Sequence, residues 1–78
     1  MRVRVRYFAV LREHLGPGGD RTIRPGTTVA ALWKAIVAQT PAVRAVRVRF
    51  AVNEEYVAGT HTLSDGDELA VFPPVSGG

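Results

Sequence analysis

Only one stretch of this 78-residue chain repeats with the period of an α-helix, and it lies between stretches that alternate with the period of a strand. Val29, Leu32, Trp33, Ile36 and Val37 recur at i, i+3, i+4, i+7 and i+8, which places them on a single apolar stripe. Thr27 or Thr28 can cap the start by accepting a bond from an otherwise orphan N–H. Thr40-Pro41 ends the helix, because a residue before proline is pushed out of the helical region. A lone amphipathic helix can cover only one face of a sheet. The chain is therefore expected to form a two-layer α+β domain.

The strands follow from alternation. In Arg2-Val3-Arg4-Val5-Arg6-Tyr7-Phe8 the odd positions Val3, Val5 and Tyr7 face the core, while the arginines face water and Phe8 joins them. Residues 9–15 read as a short helical turn in which Leu11 and Leu15 meet at i, i+4, and Gly16-Pro17-Gly18-Gly19 breaks it. Residues 21–24 make a weak strand, stopped by Pro25-Gly26. Val46, Val48, Phe50 and Val52 alternate with Arg47, Arg49 and Ala51 as a second half-buried strand. Asn53-Glu54-Glu55 turns the chain into a short Tyr56-Val57 strand, and Ser64-Asp65-Gly66-Asp67 is another turn. Residues 68–73 form the last strand, with Leu69 and Val71 on one face and Glu68, Ala70 and Phe72 on the other. This order matches a β-grasp, a mixed sheet of four to five strands with one main helix on one face. That fold places the first and last strands parallel at the sheet centre. The expected division is a β-grasp domain over residues 1–72 and an extended tail over residues 73–78.

Size and composition exclude much chemistry. A domain this small buries only roughly 60% of the surface that its unfolded chain exposes, so it has little core to give up to an enclosed catalytic cavity. With no Cys there are no disulfides, thiolate nucleophiles or Cys-ligated zinc. His14 and His61 have no partner at ligand spacing. Asp65-Gly66-Asp67 lacks the later ligands of a calcium loop. Ser64 and Ser76 have no base in a triad order, and the glycines at 16–19 lack the Lys-Ser/Thr of a phosphate loop. Lys34 reads as solvated. No cofactor and no metal are expected. The net charge of +3 carries nine Arg against one Lys, scattered rather than in a block and without RNA-stacking aromatics, so a solvated face is favoured over a nucleic-acid partner. No apolar run approaches the roughly 20 residues of a membrane span, and the opening residues lack the apolar stretch of a signal peptide. A cytoplasmic chain is expected.

Two features call for a function. Pro73-Pro74-Val75-Ser76-Gly77-Gly78 begins with paired prolines, which end a ladder and favour an extended form. At ~3.1 Å per residue the six positions would reach on the order of 19 Å. Gly77 and Gly78 could enter a slot too narrow for any side chain. Such a segment is either a tether that carries a carboxylate into another protein's active site or a frayed chain end. The second feature is Phe8 and Phe72, which share the parity of Arg, Glu and Ala and so fall on the sheet face away from the helix. Parallel neighbouring strands would bring both to the end from which the tail departs, a protein-binding patch rimmed by Arg. A bulge that turns one of them into the core is the alternative. Tyr56 is a candidate third member.

Tyr7-Phe8-Ala9-Val10-Leu11-Arg12-Glu13, the Val52-Asn53 step and the end segment from Asp65-Gly66-Asp67-Glu68-Leu69-Ala70-Val71-Phe72 through Pro73-Pro74-Val75-Ser76-Gly77-Gly78 resemble the MoaD family, the small subunits of molybdopterin synthase. The resemblance covers the whole chain and is poorest over residues 16–25. It implies a ubiquitin-like sulfur carrier with no catalytic groups of its own. A MoeB-like, ATP-dependent activating enzyme would adenylate the Gly78 carboxylate, and a persulfide donor enzyme would convert the adenylate to a thiocarboxylate. The loaded tail would then enter a MoaE-like large subunit, in a heterotetramer acting as a sulfurtransferase on cyclic pyranopterin monophosphate. Phe8, Tyr56 and Phe72 match the family's docking positions, and Pro73, Pro74, Val75 and Ser76 lead into the partner. ThiS-like carriers of another pathway also end in Gly-Gly, and a ubiquitin-like protein modifier is a further alternative.

Overall fold

The structure, a computed structural model, describes residues 1–74. Five strands form one sheet in the order β2-β1-β5-β3-β4. β1 is Arg2–Tyr7, β2 Gly18–Thr22, β3 Arg49–Val52, β4 Glu55–Val57 and β5 Glu68–Phe72. The short helix α1 spans Val10–Leu15, the main helix α2 spans Val29–Gln39, and a 3-10 turn follows at Pro41–Val43. β1 and β5 pair in parallel at the centre, and every other pairing is antiparallel. This is the expected β-grasp.

The alternation in β1 is realised residue by residue. Val3, Val5 and Tyr7 are buried and Arg2, Arg4 and Arg6 are exposed. The inward residues meet Leu11, Val29, Leu32, Ile36, Val43, Val52, Leu63, Leu69 and Val71 in a single cluster. Trp33, Val37, Val46, Val48 and Phe50 pack half-buried around its edge. Burial pushes the Tyr7 phenol above its ordinary range, and the Arg21 guanidinium pulls it partly back.

Capping settles on one of the two threonines. Thr28 Oγ1 accepts from the Ala31 N–H at 3.1 Å, whereas the Thr27 hydroxyl donates to the Arg24 carbonyl. Two further orphan N–H groups at the head of α2, those of Val29 and Ala30, donate to the carbonyls of His61 and Gly59 at 2.9 and 2.8 Å. The loop before β5 is thereby stitched to the helix.

Three boundaries differ from the sequence expectation. β2 starts at Gly18 rather than at residue 21, so two of the breaking glycines belong to the ladder. Gly18 lies so close to β1 that any side chain there would collide with the Val5 carbonyl. β3 is only Arg49–Val52, and Val46 and Val48 lie outside it. The cause is its neighbour: Phe72 pairs with Arg49, and beyond Phe72 come Pro73 and Pro74, which have no N–H to donate. β5 ends at Phe72 for the same reason.

The β3–β4 hairpin closes through a two-residue loop, Asn53-Glu54, with Val52 paired to Glu55. Both loop residues have positive φ, 51° and 71°, the geometry that matches the twist of a hairpin. Asn53 also spans to the next strand. Its Nδ2 donates to Asp67 Oδ1 and its Oδ1 accepts from the Glu68 N–H, both at 3.0 Å. Asp67 Oδ2 in turn accepts from the Ser64 N–H at 2.7 Å, and Asp65 Oδ1 accepts from the Arg2 N–H at 2.8 Å. The turn at residues 64–67 is thus a clasp that fixes where β5 begins.

Candidate functional site

The sheet face away from α2 is built by register. Arg6, Ala70, Ala51 and Tyr56 fall in one row across β1, β5, β3 and β4. The next row, one step toward the exit of β5, holds Phe72 opposite Arg49, and Phe8 follows Tyr7 at the end of β1. The ladder on either side of β5 is continuous as far as Tyr7–Val71 and Arg49–Phe72, so no bulge turns either phenylalanine inward. Both are half-buried and lie outside the core cluster.

Tyr56 is the most projecting of the three, 77% exposed, and its ring centroid lies 5.8 Å from that of Phe72. The Arg6 guanidinium sits 5.3 Å from the centroid of Phe8, a cation–π contact. Ala51 is 8% exposed yet is not in the core cluster, and with Ala70 it forms a low floor between Arg6 and Tyr56. The result is an apolar patch bordered by guanidinium groups. Sequence parity identifies Phe8 and Phe72, and leaves Tyr56, across a turn, as a candidate that the pairing of β3 with β4 brings onto the same face. It does not reveal the alanine floor, although the run Leu69-Ala70-Val71 with Ala51 opposite contains the signal.

Farther along the same face the arginines are partly paired. Arg4 lies 3.5 Å from Asp20 and Arg6 lies 3.6 Å from Glu68, both exposed contacts worth about 0–1 kcal/mol each. Beside them, over Gly18, is an open depression of about 500 Å³. It encloses nothing. Among the described residues no group of His, Asp and Glu could hold a metal ion, and no helix is long and apolar enough to cross a membrane.

Pro73 and Pro74 leave β5 half-buried at the aromatic end. The expected roles of Val75, Ser76, Gly77 and Gly78 lie outside the described residues. What is described is the strand from which that segment leaves: central, hydrogen-bonded on both edges, with its last residue part of the patch.

A compact β-grasp body with an apolar outward face and a proline-led segment leaving its central strand defines a ubiquitin-like protein. The chain belongs to the ThiS family, which it matches over residues 5–78. It is 38% identical over 80 residues to the molybdopterin synthase sulfur carrier subunit of Escherichia coli, covering 97% of this chain and 99% of the relative. The Homo sapiens protein of the same name is 42% identical over 82 residues, covering 97% and 93%. Among solved structures, SAMP1 of Haloferax volcanii, a small archaeal modifier protein, superposes with a TM-score of 0.82 at 30% identity over 100% of both chains.

Proposed function

We propose that this chain is the sulfur carrier subunit of a molybdopterin synthase, with the carboxylate of Gly78 as the atom group that carries sulfur. The observation that supports this best is similarity at 38–42% to sulfur carrier subunits over nearly their full lengths, together with a family match that runs through Gly78.

A carboxylate is a poor electrophile. A MoeB-like activating enzyme therefore joins it to AMP with release of pyrophosphate, which supplies a leaving group. The terminal sulfur of a persulfide on the donor enzyme displaces AMP to give an acyl disulfide, and a second thiol then attacks the donor's sulfur, forming a disulfide with it and releasing the Gly78 thiocarboxylate. The chain contributes binding and reach, and the catalytic groups belong to its partners. Phe8, Tyr56 and Phe72 dock a MoaE-like large subunit, and Pro73, Pro74, Val75 and Ser76 guide Gly77 and Gly78 into it. There the sulfur passes to cyclic pyranopterin monophosphate. Two carriers and two large subunits make the working assembly, in the cytoplasm.

Intact-mass analysis of the chain isolated from molybdenum-replete cells should find a sulfur-for-oxygen species at Gly78. Deleting Gly78 should abolish sulfur transfer and leave the thermal melt unchanged. Normal transfer by the truncated chain would refute the proposal.

The likeness to SAMP1 favours a second reading, in which Gly78 forms isopeptide bonds with lysines of other proteins. Lysines bearing a Gly-Gly remnant after proteolysis would reveal it, and their absence across several growth conditions would count against it. The family match also admits a ThiS-like carrier serving another pathway, which rescue of a knockout by thiamine would identify.

A further inference from the structure

Phe8 stands where β1 gives way to α1, and its backbone is fixed there. Its carbonyl accepts from the Leu11 N–H at 3.2 Å, and Ala9 turns the chain with φ at 53°. The ring has less support. Tyr56 and Phe72 lean on each other with centroids 5.8 Å apart, whereas no second ring meets Phe8 among the described residues. Ala70 and Ala51, which follow Arg6 across the sheet, are too short to brace it.

What reaches the ring is Arg6. Residues i and i+2 of a strand project from the same face about 7 Å apart, a gap that a long side chain can span. The Arg6 guanidinium lies over the Phe8 ring, 5.3 Å from its centroid, where the negative face of the ring attracts a cation. Its Nη1 lies 3.6 Å from Glu68 Oε1. Glu68 is fixed in turn, because it belongs to β5 and its N–H donates to Asn53 Oδ1. The cation is thus held from two sides, and its charge is already met within the chain.

Resting on the reading that Phe8 docks the large subunit, we infer that Arg6 is a positioning residue: bridged between Glu68 and Phe8, it holds the Phe8 ring in the orientation that the docking face presents. A cation–ring contact at an exposed site shifts a rotamer equilibrium about two- to fivefold. A partner that accepts one orientation of the ring binds more weakly in proportion to the population lost. Arg6 therefore acts on affinity through Phe8, and not by pairing with a carboxylate of the partner.

The test uses the full-length chain and the large subunit. In the free chain, three-bond NMR couplings about χ1 report the rotamers of Phe8. Arg6→Gln removes the charge and keeps a polar side chain, and should lower the main Phe8 rotamer against the others about two- to fivefold. By calorimetry the same variant should bind the large subunit about two- to fivefold more weakly. Arg6→Lys, which keeps a cation, should recover part of both effects. In a Phe8→Leu background, which keeps apolar bulk without a ring, Arg6→Gln should leave affinity unchanged. Unchanged Phe8 couplings or unchanged affinity in Arg6→Gln would overturn the inference. So would an equal loss of affinity with and without the Phe8 ring, which would set Arg6 against the partner itself. No binding by the unaltered chain would instead overturn the docking reading, a failure that the free-chain couplings keep separate from that of the bridge.

Discussion

Replacing Asn53 tests how the head of the tail-bearing strand is held. The side chain makes two hydrogen bonds, to Asp67 Oδ1 and from the Glu68 N–H, both 3.0 Å long and solvent-accessible. At the lower part of the usual range they contribute about 1–2 kcal/mol together. Asn53 also holds φ at 51°, where asparagine is tolerated and alanine costs a further ~1 kcal/mol or more. Asn53→Ala should therefore lose about 2–3 kcal/mol. Total stability for a chain of this length is on the order of 4–12 kcal/mol, so that is a large share. The corresponding fall in melting temperature is about 10–20 °C. Asn53→Gly loses the same bonds but accepts the positive φ, so it should fall between the unaltered chain and the alanine variant. Urea titration of all three, with Asp67→Ala and the double variant, separates the terms. The Asn53–Asp67 pair should show a coupling energy of about 0.5–1 kcal/mol. An alanine variant within about 0.5 kcal/mol of the unaltered chain, or additivity with Asp67→Ala, would refute the clasp.

Three other perturbations probe separate features. Gly18→Ala drives a Cβ into the Val5 carbonyl, and should cost about 3 kcal/mol or more or free β2 from the sheet; an unchanged urea midpoint would contradict the close approach. Tyr56→Ala removes a ring that is 77% exposed, so stability should hold within about 0.5 kcal/mol. Affinity for the large subunit should fall about 30-fold or more, as measured by calorimetry, and unchanged affinity would remove Tyr56 from the proposed docking face. The raised phenol pKa of Tyr7 makes stability depend on pH at the alkaline end. Above pH about 10 the unfolded chain releases this proton first, so stability falls with rising pH until the folded phenol ionises as well. Tyr7→Phe should flatten that part of the decline, and equal slopes for the two chains would show that the phenol does not titrate in this way.

Where an element faces both core and water, its sequence announces it. β1 and α2 each bury one face and solvate the other, and Val3, Val5, Val29, Leu32 and Ile36 mark the inner side without ambiguity. β2 gives no such signal. Gly-Gly-Asp-Arg-Thr is an edge strand with almost nothing buried, and its position is set by the backbone of β1 rather than by its own side chains. The pattern through Val46 and Val48 does mark inward-leaning residues, but periodicity cannot show that a neighbouring strand runs out at Pro73. Of the candidate site, parity yields Phe8 and Phe72, while Tyr56 stands only as a candidate because a turn interrupts the alternation before it. The contact between Tyr56 and Phe72 depends on a two-residue hairpin register that only pairing reveals. The Asn53–Asp67 clasp joins two turns that lie 14 residues apart, and no local pattern links them.

The central position of β5 has a mechanical consequence. A partner that draws the tail into its own cleft, or a tail withdrawn after delivering its load, pulls along the axis of a strand flanked on both edges. The load then falls on the β1 and β3 ladders in shear, with all their bonds strained together, instead of peeling an edge strand away one bond at a time. Under the proposed function, the body would serve as a stiff handle for whatever its last strand carries.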